Sequence, residues 1–377
     1  MALLKLKNIG QIVEANISLG DLTIFVGPQA TGKSIALQTL KLLTDTGFVQ
    51  NELNTYGLDW SKDPDNFFDI YYGEGMHSIW KNGQSSIHWG GKEINLANLV
   101  KRARSVHGET VFFIPAQRVL ALRDGWPRPF TDYASGDPFA VREFSEKLRR
   151  LVDTEFKTTE GSLFPQPRRL KVEFRNLLKK DIFSGFDLKV DKLHSQKRLV
   201  LGKKDGEHLP FMVWSAGQRE FIPLLLGLYW LMPSTKVSTK QDIKWVVIEE
   251  LEMGLHPRGI STVLLLVLEL LHRGYKVLLS THSPQVLDMA WAIKKLQVGN
   301  AVPSELLKIF NVKYSQSLGK VAESISKKTI NVHYFNREGI VKDISSLDPS
   351  ADDDSESLWG GLAEFSARAN EVVSKLV

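Results

Sequence analysis

The chain has 377 residues, 43% of them hydrophobic and 24% charged, with a formal net charge of +5. That length can bury one large or two moderate cores, and its mild basicity permits an anionic partner without demanding one. The sequence contains no cysteine, which excludes disulfides, thiolate nucleophiles and cysteine-ligated zinc.

The first residues, Met1-Ala2-Leu3-Leu4-Lys5-Leu6-Lys7, alternate like a strand and show no signal-peptide pattern. Strands are predicted at 3–7, 13–17 and 22–26. The third runs into Gly27-Pro28-Gln29-Ala30-Thr31-Gly32-Lys33-Ser34, a G-x-x-x-x-G-K-S sequence, and a helix is predicted over 33–43. Strand, glycine loop and helix together form the context of a P-loop. Its backbone N–H groups and the helix N-terminus point at phosphate oxygens. Lys33 is the candidate ligand of the β- and γ-phosphates, and Ser34 the candidate ligand of Mg²⁺.

Asn82-Gly83, between two alternating runs, predicts a β-hairpin. Residues 111–114 predict a buried strand, and 140–151 a helix with Val141, Phe144, Leu148 and Leu151 on one face. Further strands are predicted at 170–174, 186–190 and 198–201, a buried helix at 221–231, and core strands at 245–248 and 276–280 around an apolar helix at 260–272. The longest apolar stretch, 263–271, is broken by Glu269 and too short to span a bilayer. No membrane association and a cytoplasmic location are the expectation. Near the end, 348–356 reads as a solvated acidic linker. A short amphipathic helix follows, with Leu362, Phe365, Ala369, Val372 and Leu376 on one side. No internal repeat and no long heptad run is found.

Alternating strands and helices around a P-loop imply an α/β fold with a substantially parallel core. Ligands of such folds bind at the carboxyl edge of the sheet. Trp245-Val246-Val247-Ile248-Glu249-Glu250 is an apolar strand ending in two carboxylates. Beside a P-loop, Glu249 is suited to the Mg²⁺ side and Glu250 to polarising an attacking water. Leu278-Leu279-Ser280-Thr281-His282-Ser283-Pro284 brings His282 to the end of the next core strand. Ser215, in Trp214-Ser215-Ala216-Gly217-Gln218, either caps the helix behind it or joins Gly217 and Gln218 in a second γ-phosphate site. One chain does not easily use both sites on one nucleotide; a second copy can.

This order of motifs resembles the ABC-type ATPases, most closely the SMC-like branch. Within that branch it is similar to compact stand-alone prokaryotic AAA-family ATPases of the overcoming-lysogenization-defect (OLD) kind found in antiphage systems. Phe113-Ile114-Pro115-Ala116-Gln117-Arg118, Leu255-His256-Pro257 and Gly360-Gly361-Leu362-Ala363-Glu364-Phe365 add to the resemblance. It implies a P-loop NTPase of α/β class with an ABC/SMC-like ATPase head. A mixed core sheet would be flanked by helices, with extra antiparallel β elements and no long coiled coil. It also implies that Gly27 to Ser34 bind ATP as Walker A, and that Ser215, Gly217 and Gln218 are the signature contacting ATP across a homodimer. Glu249 then stands as Walker B acid, Glu250 as catalytic glutamate, His282 as switch histidine, and His256 at the D-loop position. Gln117 would be the Q-loop residue sensing Mg²⁺ or water. Glu249 in place of aspartate, Leu251 in place of proline and Ala216 in place of glycine imply slow turnover. No carboxylate cluster suggests a fused nuclease, so output would pass to a separate effector protein or to nucleic acid.

The expected organisation is an N-terminal half of the head at 1–120, a basic insertion at 121–205, a signature and Walker B half at 206–300, and a C-terminal extension at 301–377. Residues 165–204 carry twelve Lys/Arg against four acids. That excess suits either nucleic-acid phosphates or a solvated β-face. Two other function classes remain open from sequence: a non-catalytic ATP-gated scaffold, and a transporter's nucleotide-binding subunit.

Overall fold

A computed structural model describes residues 2–60, 63–101, 108–156, 162–193, 196–203, 206, 208–233, 239–240 and 242–375. Lys204 and Leu376, both used in the sequence reading, lie outside these.

The first half contains strands β1 (Ala2–Ile9), β2 (Ile12–Leu19) and β3 (Leu22–Val26), then helices α1 (Lys33–Thr55) and α2 (Pro64–Tyr72). Strands β4 (Ser86–Trp89) and β5 (Lys92–Glu93), helix α3 (Leu96–Leu99), strand β6 (Val111–Ile114), the short pair β7 (Leu122–Arg123) and β8 (Trp126–Pro127), and helix α4 (Phe139–Glu155) follow. The middle contributes β9 (Ser162–Phe164), α5 (Val172–Asp181), β10 (Asp187–Leu193), β11 (Gln196–Gly202), β12 (His208–Pro210) and α6 (Ala216–Leu231). The last part runs through β13 (Trp245–Glu249), α7 (Pro257–Arg273), β14 (Lys276–Thr281), α8 (Pro284–Val298), α9 (Pro303–Ile309), α10 (Gln316–Ile325), β15 (Ile330–Phe335), β16 (Ile340–Asp343) and α11 (Glu364–Ser374).

Ten strands form one mixed sheet in the order β5-β4-β1-β2-β16-β15-β3-β14-β13-β6. The run β15-β3-β14-β13-β6 is parallel throughout. Alternate residues of these strands enter two apolar cores, one on each face: Ile24, Val246 and Leu279 on one side, Phe25, Val247 and Leu278 on the other. Burial on both faces is why these segments are continuous apolar runs. A separate antiparallel sheet, β12-β11-β10-β9, accounts for the extra β elements. Among the described residues there is no long coiled coil and no helix long and apolar enough to cross a membrane.

Several expectations need correction. Residues 170–174 were expected as a strand, but α5 starts at Val172; its buried Phe174 and Leu178 are four apart, a helical spacing. The hairpin expected at Asn82-Gly83 is absent, because Met76–Ile79 forms a 3-10 helix instead. Two-residue hairpins lie instead at Gly90-Gly91, joining β4 to β5, and at Asp124-Gly125, joining β7 to β8; both central residues of each have positive φ, as a type I′ turn requires. Residues 301–377 are not a separate extension, since β15 and β16 sit inside the main sheet between β2 and β3. The acidic stretch is tied down: Asp353 pairs with Lys342, Glu356 accepts from the Asp348 N–H, and the Trp359 indole donates to Asp288. The terminal helix does not pack through its apolar side: Phe365 is 78% exposed.

Helix α1 runs twelve residues past its expected end at 43, kinking at Asp45. The kink serves a buried charge cluster. Asp45 accepts from the Thr110 and Val111 N–H groups, and Lys41 donates to Asp45, Glu109 and the Val111 carbonyl. Lys147 pairs with Glu109 and Glu143. Burial would lower the Lys41 pKa, but Glu109, Asp45 and Glu143 outweigh it and raise it. Burial and the neighbouring Glu109 push the Glu143 carboxyl up to about 7. With Glu143 protonated, two lysines face two carboxylates and the cluster is neutral.

A raised carboxyl pKa means that the folded chain holds a proton the unfolded chain has released. Stability should therefore fall as pH rises from about 4.5 to about 7, by about 3 kcal/mol from this group. Glu143→Gln is expected to flatten that fall in urea-unfolding free energies measured across the window.

Candidate functional site

Strands β3, β14 and β13 lie side by side and parallel, so their carboxyl ends open on one edge. That edge collects Lys33, His282, Glu249 and Glu250, as the sequence predicted for these four. Gly27 begins the phosphate loop at φ 138°, a conformation that favours glycine. A Cβ there would lie 2.1 Å from the Phe335 carbonyl oxygen, so the end of β15 presses directly on the loop. Ala30 and Gly32 also have positive φ, and Gly32 caps α1. The Lys33 ammonium is buried and donates to the Gly27 and Pro28 carbonyls at 2.9 and 2.6 Å. Burial lowers its pKa to about 8, with Glu250, Glu252 and Glu249 pulling the other way. An incoming phosphate offers this ammonium a stronger partner than two carbonyls.

Glu249 is 1% exposed. Its Oε2 accepts from the Ala116 N–H at 3.1 Å, and its Oε1 has no hydrogen-bond partner. Burial pushes its carboxyl pKa up, opposed by the Ser34 hydroxyl and the Ala116 N–H. An orphaned carboxylate oxygen beside a serine hydroxyl fits a divalent cation. Among the described residues no group of three His, Asp or Glu could hold a metal alone. The fit is therefore to a cation that shares its ligands with bound phosphates, as Mg²⁺ does.

Glu250 follows β13 at φ 44°. Its N–H donates to the Ser280 carbonyl at 2.9 Å, and its Oε1 lies 3.6 Å from His282 Nε2. The contact with His282 holds its pKa below the usual carboxylate range, with burial opposing and Lys33 assisting. Glu250 is thus kept ionised, the state a general base needs.

Two residues without an assigned role hold this arrangement. Arg118, fully buried, donates to the carbonyls of Glu249 at 2.8 Å, Glu250 at 3.0 Å and Glu220 at 3.1 Å. Glu252 accepts from the Thr281 hydroxyl at 2.9 Å and the His282 N–H at 2.5 Å. Arg118 fixes the turn carrying Glu250, and Glu252 fixes the loop carrying His282. Arg118 stands in a motif singled out from the sequence and Glu252 two residues past the carboxylate pair, but nothing in residue spacing tells which partners either side chain meets.

Other predicted residues fall elsewhere. Gln117 is exposed at the start of a 3-10 turn; the contact to Glu249 comes from the Ala116 backbone instead. Ser215 and Gln218 form a reciprocal capping box at the start of α6, realising the capping alternative. His256 likewise caps α7 by accepting from the Arg258 N–H. Gly217 meets the loop after Glu250 at close range, since a Cβ would stand 2.7 Å from the Gly254 carbonyl oxygen. Helix α6 packs beside the segment following β6. From β3 to β6 is three strand spacings, roughly 14 Å. Ser215 thus begins a helix packed beside the segment after β6, whereas Lys33 follows β3.

A family model described as "AAA domain, putative AbiEii toxin, Type IV TA system" matches residues 134–288. No curated protein sequence matches the chain. Among solved structures, the chain is similar to an SMC head bound to the C-winged helix domain of ScpA, with 12% identity and a TM-score of 0.41, covering 91% of this chain and 96% of that one. It is similar to the SMC head domain of Thermotoga maritima at 12% identity and a TM-score of 0.34, covering 91% and 98%. A bacterial ABC transporter cassette in dimeric form is similar at 12% identity and a TM-score of 0.36, covering 90% and 96%.

Because the Lys33 pKa is lowered to about 8, phosphate binding must restore its proton above that pH. Affinity for a fluorescent ATP analogue is expected to fall as pH rises past about 8, by up to about tenfold per pH unit. Lys33→Arg, which keeps its charge, should lose that pH dependence in the same titration.

Proposed function

We propose that this chain is an ATP-hydrolysing switch that works as a pair of copies. The observation that carries the reading is the shared edge where Lys33, Glu249, Glu250 and His282 converge, while Ser215 begins α6, packed beside the segment after β6, three strand positions from β3. Lys33 and the N–H groups of Gly27 to Ser34 would bind the triphosphate of ATP. Ser34 and Glu249 would hold Mg²⁺, which supplies charge neutralisation at the β- and γ-phosphate oxygens. Glu250 would orient the attacking water and accept its proton, with His282 3.6 Å away steadying the carboxylate. The N-terminal turn of α6, Ser215 to Gln218, exposed at Ser215, would exchange its capping box for the γ-phosphate held by the second copy.

Output would pass to nucleic acid or to a separate effector protein. Antiphage defence is the setting proposed, supported by the motif order and by the family model's description as a putative toxin of a Type IV toxin–antitoxin system. The +8 excess of residues 165–204 gives limited support to a nucleic-acid partner. Arg169 is buried against Glu155, and Lys171, Lys179 and Arg198 pair with Glu269, Asp187 and Asp191. A second reading, an ATP-gated scaffold without turnover, is favoured by the buried Glu249, whose raised pKa opposes ionisation.

The test is steady-state ATPase activity of wild type and Glu250→Gln, with light scattering of both in ATP. The expected outcome is slow turnover in wild type, a loss of about a hundredfold or more in Glu250→Gln, and an ATP-dependent dimer of that variant. No turnover in wild type favours the scaffold; a strict monomer in ATP contradicts the paired reading.

A further inference from the structure

A cleft of about 670 Å³ lies away from the phosphate loop, between the β7–β8 ribbon and the start of β11. Its size suits a ligand of a few hundred Å³. The hairpin at Asp124-Gly125 forms one wall and is locked in place, since the Leu199 N–H donates to the Gly125 carbonyl at 2.8 Å. The 3-10 turn Phe211–Val213, where Met212 is 72% exposed, meets that hairpin, since a Cβ at Gly125 would stand 3.1 Å from the Phe211 Cβ.

The lining combines half-buried aromatic rings with cations. Trp126 faces the Lys197 ammonium, 5.8 Å from the ring centroid. Phe211 is held edge-on against Trp214, with centroids 5.2 Å apart. Arg123 and Arg128 share a single carboxylate, Asp132, and Arg198 is paired with Asp191. Asp124 lies at 4.0 Å from Arg123, and Asp153 is taken by Arg149. Lys197 makes no ion pair among the described residues. It stands directly opposite Lys192 in the β10–β11 ladder, and Lys192 is exposed and unpaired among them as well. Like charges directly opposite on one face of a sheet are destabilising. An anion between them removes that cost.

Charge separates the anionic candidates. After the pairs are counted, the cleft and its rim keep an excess of only one or two positive charges. A free nucleoside triphosphate brings far more negative charge than that. A phosphodiester brings one unit per residue, next to a base whose flat face can stack on Trp126 or Phe211. We propose that this cleft binds a single strand of nucleic acid, with a base on Trp126 and a backbone phosphate between Lys192 and Lys197. Cation-lined grooves with exposed rings are the usual means of holding such strands without sequence preference. The walls continue straight into the switch: β7 follows the turn carrying Arg118, and Phe211–Val213 precedes Ser215 by two residues. A bound strand therefore touches the segment after Arg118, whose side chain holds the Glu249–Glu250 turn, and the segment before Ser215. The proposal depends on the switch reading only in naming nucleic acid as the output.

The experiment is fluorescence anisotropy of a short labelled oligothymidylate at low and raised salt, with an oligouridylate as a second arm. Wild type is expected to bind, with affinity falling as salt rises. Trp126→Ala should weaken binding roughly five- to a hundredfold, and Trp126→Phe should retain most of it. Lys197→Gln should lower the slope of log affinity against log salt by about 0.7. Each variant should bind a fluorescent ATP analogue as wild type does, which separates failure here from failure of the ATPase reading. Tighter oligouridylate names RNA as the source, and tighter oligothymidylate names DNA; either supports the cleft. The proposal is overturned if wild type binds neither oligomer at low salt, or if both Trp126→Ala and Lys197→Gln bind as wild type. Preference for a duplex, or displacement of the strand by an equal concentration of thymidine monophosphate, also overturns it.

Discussion

One buried guanidinium organises the centre of this molecule. Arg118 spends its donors on the main-chain carbonyls of Glu249, Glu250 and Glu220. A charge taken out of water is costly unless its donors are used, so its full burial requires those carbonyls to stay where they are. Two of them belong to the turn that ends β13, the third to the first turns of α6. The same side chain therefore ties the carboxylate pair to the helix whose N-terminus is Ser215. Any displacement of α6 pulls on the turn that aims Glu250. Burial lowers the Arg118 pKa, with Glu220, Glu252, Glu250 and Glu249 opposing.

The sheet supplies the second constraint. Residues 330–343, far along the chain, fill the gap between β2 and β3, and the Phe335 carbonyl closes on Gly27. The phosphate loop is thus built from both ends of the sequence. The C-terminal segment is thereby part of the sheet that carries this edge, not an appended tail.

Legibility followed the range of the interactions. The phosphate loop, the 245–249 and 276–281 strands and the carboxylate pair were readable because short-range patterns and buried parallel strands leave local signatures. Strands β15 and β16 were not: Ile330 to Phe335 includes Asn331, His333 and Tyr334, and only its long-range pairing with β3 makes it a core strand. At Asn82-Gly83 the turn residues suit a hairpin, but the preceding segment is a 3-10 turn; Asp124-Gly125, with the same turn chemistry, forms one. At 170–174 alternation over five residues competed with a helical spacing completed only at Leu178. Arg118 and Glu252 were missed as positioning groups because their partners are distant in sequence or are backbone atoms.

The central claim is that one ATP is held between Lys33 of one copy and Ser215 to Gln218 of another. Mixing two inactive variants tests it most directly: Lys33→Met, which spoils the phosphate loop, and Ser215→Arg, which spoils the signature. A heterodimer of the two contains one site with both halves intact. If the account is right, each variant alone is inactive, and an equimolar mixture recovers about a quarter of wild-type ATPase activity, as random pairing across a two-fold interface requires. If both halves act on ATP within a single chain, the mixture stays as inactive as its parts, and the account is contradicted.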